Sequence, residues 1–144
     1  VYPVHMNPAV RDIVYRVIGN QERIHLIDPI DVVEMHNLMD RSYMVLTDSG
    51  GLQEEAPSLG KPVLVLRAET ERPEAIEYGT LKLAGTEMKN IYGLTAMLLD
   101  DKVEYEKMAN AINPYGDGYA SERIRDSLLY KFKFKKERPR DFEP

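Results

Sequence analysis

Strands alternating with helices over short connections predict an α/β fold: a parallel, Rossmann-like sheet flanked by helices. Three observations carry that prediction. Pro62-Val63-Leu64-Val65-Leu66 is a near-continuous apolar run, as expected of a strand buried on both faces. Val10, Ile13, Val14, Val17 and Ile18 recur at the spacing of one helix face. Between them, Tyr43-Met44-Val45-Leu46 runs into a small-residue turn and then an acidic helix start. Such βαβ units wind right-handed and bind ligands beyond the carboxyl ends of their strands.

Residues 1–4 read as a short strand. Asn7-Pro8 opens a helix, Asn as the cap and Pro at the first helical position, and Gly19-Asn20 ends it. Arg23 to Ile27 is the next strand and Asp28-Pro29 its turn. Asp31 caps a helix that carries Val32, Val33, Met35, Leu38 and Met39. Tyr43 to Leu46 is a third strand, followed by the Gly-Gly helix and the apolar strand from Pro62. Pro73 starts a short helix, and Leu81-Lys82-Leu83 is an edge strand. Thr86 caps a helix with Ile91, Leu94 and Leu98 on one face, and a further helix lies around Val103 to Ala111. Asn113 to Gly118 is a turn-rich break before a last helix with Ala120, Ile124 and Leu128. Asp28-Pro29-Ile30, Asp48 to Gly51 and Arg67 to Arg72 therefore fall at strand carboxyl ends on one predicted rim.

The richest stretch is Thr47-Asp48-Ser49-Gly50-Gly51-Leu52-Gln53-Glu54-Glu55. A helix starting there presents its free N–H groups to an anion, favouring a phosphate or diphosphate. Ser49 can cap the helix or donate its hydroxyl to the same anion. Gly50 and Gly51 admit a bulky ligand close to the backbone. Glu55, about one and a half turns on, can accept from a ribose diol. Together they point to a nucleoside diphosphate, although the same string also describes an ordinary αβ junction with acids at a helix start. Arg72, beside Pro73, can grip a diphosphate bidentately or form a surface ion pair with Glu71 or Glu74.

A chain of 144 residues supports one compact domain. Its net charge of −5 argues against nucleic acid or an anionic membrane as main partner. No run of roughly 18 apolar residues is present to span a bilayer. There is no cysteine, hence no disulfide framework, and no metal-ligand spacing links His5, His25 and His36. Without a signal-peptide pattern the expectation is a cytosolic protein.

The run Asp48 to Ala56, the phrase Pro57 to Arg67, and Thr70-Glu71-Arg72-Pro73-Glu74 resemble the non-hydrolysing UDP-N-acetylglucosamine 2-epimerases. So do Tyr2-Pro3-Val4-His5-Met6-Asn7-Pro8 and Asn113-Pro114-Tyr115-Gly116-Asp117-Gly118. The resemblance covers roughly residues 1 to 130 in unbroken order. It implies the second Rossmann-like domain of a two-domain, GT-B-type enzyme. On that reading residues 1–130 are a partial C-terminal UDP-binding domain and 131–144 a basic tail. An N-terminal domain would precede them, with the first strand and helix of the second domain and a His-Arg-Arg-Glu-Asn type motif.

The implied reaction interconverts UDP-N-acetylglucosamine and UDP-N-acetylmannosamine, by elimination of UDP to a 2-acetamidoglucal and re-addition. Its catalytic carboxylates and His belong to the upstream part, so no catalytic residue is expected in this chain. By the resemblance, Ser49, Gly50, Gly51 and Arg72 contact the diphosphate and Glu55 holds the ribose. Ile30 supplies backbone contacts to uracil, and Met35 stands where many members place an aromatic against the base. His5 matches a position that contacts a second, allosteric UDP-sugar in some bacterial members; read alone, it is a hydrogen-bonded group at a strand end. Asp117 reads as a turn aspartate between glycines. No redox cofactor and no metal are implied, and the family commonly forms homodimers through its N-terminal domain. A nucleotide-sugar glycosyltransferase, a hydrolysing epimerase and a non-catalytic nucleotide-sugar-binding fragment remain alternatives on the same rim chemistry.

Overall fold

The computed structural model describes residues 1–144, which divide into two compact units, Val1–Leu38 and Met39–Pro144.

In the first unit, β1 (Tyr2–Pro3) and β2 (Leu26–Ile27) pair in parallel, Tyr2 opposite Leu26 and Pro3 opposite Ile27. Helix α1 (Pro8–Ile18) joins them, and Asn7 caps it by accepting the Ala9 N–H at 3.0 Å. The Arg11 Nη1 donates to the Asp28 carboxylate at 2.7 Å, tying α1 to the loop after β2. Asp31 accepts the Glu34 N–H at 2.9 Å and so starts α2 (Val32–Asp40).

Three expectations change here. The strand predicted from Arg23 begins later, because the Ile24 N–H is taken by the Gln21 carbonyl in a tight turn. Gly19 ends α1 with an ordinary φ of −63°, so the left-handed stop is not used. The apolar stripe of α1 is only partly covered: Val10, Val14 and Ile18 are half-buried, whereas Ile13 and Val17 are 53% and 64% exposed. A sheet of two strands, each two residues long, is too small to cover it.

In the second unit, β3 (Val45–Thr47), β4 (Val63–Val65) and β5 (Leu81–Leu83) form a parallel sheet in that order. The predicted continuous sheet is thus divided into two parallel ladders. β4 is central, and its three residues have no exposed surface. Its Leu64 joins Ala84, Leu98 and Met108 in the core, with Met44, Leu66, Ile91, Leu94 and Met97 against them. Leu98 comes from α5 (Met88–Asp100) and Met108 from α6 (Lys102–Ala109).

By strand alternation Val63 and Val65 turn to the opposite face. Helix α3 (Gly50–Ser58) packs against β3 and β4, with Gln53, Ala56 and Pro57 buried. It ends where Gly60 takes a φ of +66°. There the Gly60 and Lys61 N–H groups return to the Pro57 and Ala56 carbonyls, which aims the chain into β4.

The short α4 (Pro73–Glu77) precedes β5, and α7 (Ala120–Lys131) follows the turn-rich break. The expected strand start at Tyr43 is pre-empted, since its carbonyl accepts the Tyr105 hydroxyl at 2.9 Å and the two rings stack at 4.2 Å. Glu87, not Thr86, occupies the N-cap of α5 and makes no side-chain capping bond.

Candidate functional site

Within the second unit, the carboxyl ends of β3 and β4 each lead into a polar loop. Thr47, the buried last residue of β3, accepts the Ser49 N–H on its Oγ1 at 3.0 Å and turns the chain sharply. Ser49 then stands at the N-cap of α3 in extended conformation, and its side chain makes no capping bond. First-turn N–H groups of a helix have no partner within it, and they carry the positive end of its dipole.

Gly50 and Gly51 do not adopt left-handed backbone angles, so no turn demands glycine at either. Packing does not demand it either: a Cβ at Gly50 would meet nothing within 4 Å. At Gly51 the same Cβ would lie 3.4 Å from Glu55 Oε1 and 4.0 Å from Ser49 Oγ. A hydroxyl and a carboxylate therefore converge over a bare stretch of backbone at a helix start.

The loop after β4 supplies cationic groups. Arg67 is committed locally, its Nη1 donating to both Glu71 carboxylate oxygens at 2.8 Å. That pair raises the Arg67 pKa and lowers that of Glu71. Arg72 does not pair with the Glu71 or Glu74 carboxylates, as its neighbours in sequence predict. Its Nε donates to Glu54 on α3, which raises its pKa, and its Nη1 donates to the Glu71 carbonyl at 3.1 Å.

Beneath this ion pair the Thr70 hydroxyl donates to the Gln53 side-chain carbonyl at 2.5 Å. The Tyr115 hydroxyl is buried against the Ala75 backbone; burial pushes its pKa up, the Ala75 backbone opposes that, and Glu74, Arg72 and Glu54 are its charged neighbours. Its loop is held to α3 by Asn113, whose Nδ2 donates to Ser58 Oγ at 2.7 Å.

Of the residues singled out by sequence, Ser49, Gly50, Gly51, Glu55 and Arg72 all lie on these two loops and α3. Ile30 and Met35 are half-buried in the first unit, at the entry to α2 and within it. The exposed His5 accepts the Asn7 N–H on Nδ1 at 3.1 Å. Asp117 is a turn aspartate, accepting the Tyr119 N–H and gripping Arg123 through both oxygens at 2.7 and 2.6 Å. Gln53, Glu54, Thr70 and Tyr115 were not singled out, although all four sit inside the motifs that were. The signal for Gln53 was its place four residues after Ser49, one helical turn on. No cluster of three or more His, Asp or Glu side chains is placed to hold a metal ion. No helix is long and apolar enough to cross a membrane.

Parallel βαβ units, with a glycine-opened helix start and an arginine-bearing loop at strand carboxyl ends, define a Rossmann-like α/β protein. The family model described as UDP-N-acetylglucosamine 2-epimerase matches residues 1–129, and the chain belongs to that family. It is 58% identical over 142 residues to the UDP-N-acetylglucosamine 2-epimerase of Bacillus subtilis (strain 168), covering 99% of this chain and 37% of that protein. Against the Escherichia coli (strain K12) enzyme of the same name it is 52% identical over 128 residues, 89% of this chain and 34% of the relative.

Among solved structures, a Staphylococcus aureus MnaA–UDP co-structure superposes with a TM-score of 0.92 at 53% identity, over 99% of this chain and 39% of that one. The Neisseria meningitidis UDP-GlcNAc 2-epimerase bound to UDP-GlcNAc gives 0.81 at 50% identity, over 88% and 35%. The chain thus spans little more than a third of the length of the relatives it matches.

Proposed function

We propose that this chain is the C-terminal, UDP-holding part of a UDP-N-acetylglucosamine 2-epimerase that interconverts UDP-N-acetylglucosamine and UDP-N-acetylmannosamine. The observation that carries the reading is the Ser49-Gly50-Gly51 helix start, with the Glu55 carboxylate beside Gly51 and the neighbouring Glu54 tied to Arg72. Backbone N–H groups there donate to the diphosphate, Ser49 adds its hydroxyl, and Glu55 accepts from the ribose hydroxyls. Arg72 offsets the charge that gathers on UDP as the bond from sugar C1 to the diphosphate oxygen breaks. The family resemblance carries over Ile30 as a backbone contact to uracil, Met35 as the residue against the base, and His5 as a contact to a second UDP-sugar.

Elimination removes the C2 proton and expels UDP; re-addition returns the proton to the other face and UDP to C1. The acid and base for those proton transfers need tuned pKa values. The reading assigns them to the upstream two-thirds of the enzyme, which also forms the homodimer and works on the cytoplasmic UDP-sugar pool. This chain alone then binds UDP weakly and turns over nothing.

A chimera tests the proposal. This chain replaces the matching segment of the Bacillus subtilis relative, with which it shares 58% identity. The chimera is expected to interconvert the two UDP-sugars with no acceptor and no release of free sugar. A folded chimera that only transfers the sugar, only hydrolyses it, or does nothing would rule the assignment out. Epimerase activity in the 144-residue chain by itself would overturn the placement of the acid and base in the upstream part.

A further inference from the structure

The two walls of the candidate site stand on different loops, one after β3 and one after β4, and a single buried side chain links them. Gln53 is 0% exposed. Its Nε2 donates to the Ser49 carbonyl at 3.1 Å, on the first wall. Its Oε1 accepts the Thr70 hydroxyl at 2.5 Å, and Thr70 Oγ1 in turn accepts the Arg72 N–H at 3.0 Å, on the second. The amide cannot be reversed, since its oxygen would then face the Ser49 carbonyl oxygen with no proton between them. Every link in the relay, from Arg72 N–H through Thr70 and Gln53 to Ser49, therefore has a defined direction. A buried amide is costly unless both of its ends are satisfied, and a packed leucine of similar size would be the cheaper occupant of a purely structural position.

We infer that Gln53 is a positioning residue that sets the Ser49 turn and the Arg72 loop at one separation, so that both engage the same diphosphate. The inference rests on the UDP reading above and deepens it. Gln53 touches no ligand; it acts through the backbone of Ser49 and, by way of Thr70, the backbone of Arg72. The Glu54–Arg72 ion pair is a second tie between the same walls, but a half-exposed one. The buried relay sets the spacing, and the ion pair aims the guanidinium.

The test measures UDP dissociation constants by calorimetry, together with melting temperatures. It uses the unsubstituted chain, Thr70→Val, Thr70→Ser, Arg72→Ala and the Thr70→Val/Arg72→Ala pair. Thr70→Val keeps the shape and removes the relay hydroxyl; it is expected to weaken UDP binding about tenfold. Thr70→Ser restores the hydroxyl and should bind within about twofold of the unsubstituted chain. A residue that merely stabilised the fold would lower the melting temperature and leave the UDP affinity of the folded chain unchanged. Here, removing the Arg72 side chain should cost much less in the Thr70→Val background, because the two walls no longer close on one ligand.

Additive losses, or a Thr70→Val chain that binds UDP normally, would overturn the inference while leaving the UDP reading intact. Failure of the unsubstituted chain to bind UDP would overturn both. Should Thr70→Val not fold, Gln53→Met carries the same comparison, with its length kept and both bonds removed. If that variant also fails to fold, the role of the amide is structural and the inference is wrong.

Discussion

Replacing Gly51 or Gly50 by alanine should move stability and ligand binding in opposite directions. Neither glycine has left-handed backbone angles; an added methyl meets nothing within 4 Å at Gly50, and at Gly51 it meets the Glu55 carboxylate at 3.4 Å and Ser49 Oγ at 4.0 Å. The fold therefore accepts alanine at both, and the lower backbone entropy of the unfolded chain contributes about 0.5 kcal/mol of stability. With an unfolding entropy of about 2.1 cal/mol/K per residue, that amounts to a rise of about 2 °C in melting temperature.

Binding should suffer. A phosphate oxygen held about 2.9 Å from a backbone nitrogen also rests against the neighbouring Cα. A methyl there needs roughly 3.5 Å of clearance, so the oxygen must withdraw. Losing one charged hydrogen bond costs about 1.5–3 kcal/mol, or roughly tenfold to a hundredfold in UDP affinity. Thermal denaturation and UDP calorimetry on the same samples read both effects. An alanine variant that melts higher yet binds UDP as tightly as the parent would refute the close-approach argument. One that melts several degrees lower would refute the open-space argument.

Other expected outcomes bear on separate parts of the account. In the active chimera, Ser49→Ala should mainly raise KM, whereas Arg72→Ala should lower kcat about tenfold or more if its charge serves the departing UDP; equal loss in both terms counts against that role. Leu64→Ala, at a fully buried position of the central strand, should cost about 2–5 kcal/mol in denaturant titration, and a loss below about 1 kcal/mol would mean that the core is wrongly placed. Asp117 has its carboxyl held well below the usual range by Arg123, and then by the Tyr119 N–H. Its contribution is therefore present above the unfolded pKa of about 3.9 and fades as pH falls toward the folded value. Asp117→Asn should lower the melting temperature at pH 7, with the gap to the parent closing in increasingly acidic buffer; a gap that stays constant would show that the ion pair is not its source.

What the sequence made legible was chemistry that acts over a few residues. Asn7-Pro8 reads as a helix start because its cap bond spans two residues. Pro62 to Leu66 reads as a central strand because burial on both faces leaves no polar alternation. Features set by distant partners were not legible. Tyr43 leaves the strand for a ring 62 residues away, and Arg72 prefers Glu54, 18 residues back, to the acids beside it. The apolar face of α1 predicts a helix correctly but says nothing of what lies against it, and Ile13 and Val17 are exposed. For the candidate site, the Ser-Gly-Gly motif marked the turn at the start of α3, but the relay through Gln53 requires the loop after β4 to be folded beside α3. No local pattern contains that adjacency.

The most direct measurement is a crystal structure of the chain grown with UDP. The account predicts diphosphate oxygens about 2.7–3.2 Å from the Gly50 and Gly51 nitrogens and from Ser49 Oγ, with the ribose hydroxyls on Glu55 and the Arg72 guanidinium closing over the phosphates. UDP seated elsewhere on the molecule, or a helix start that stays solvent-filled at saturating UDP, would contradict it.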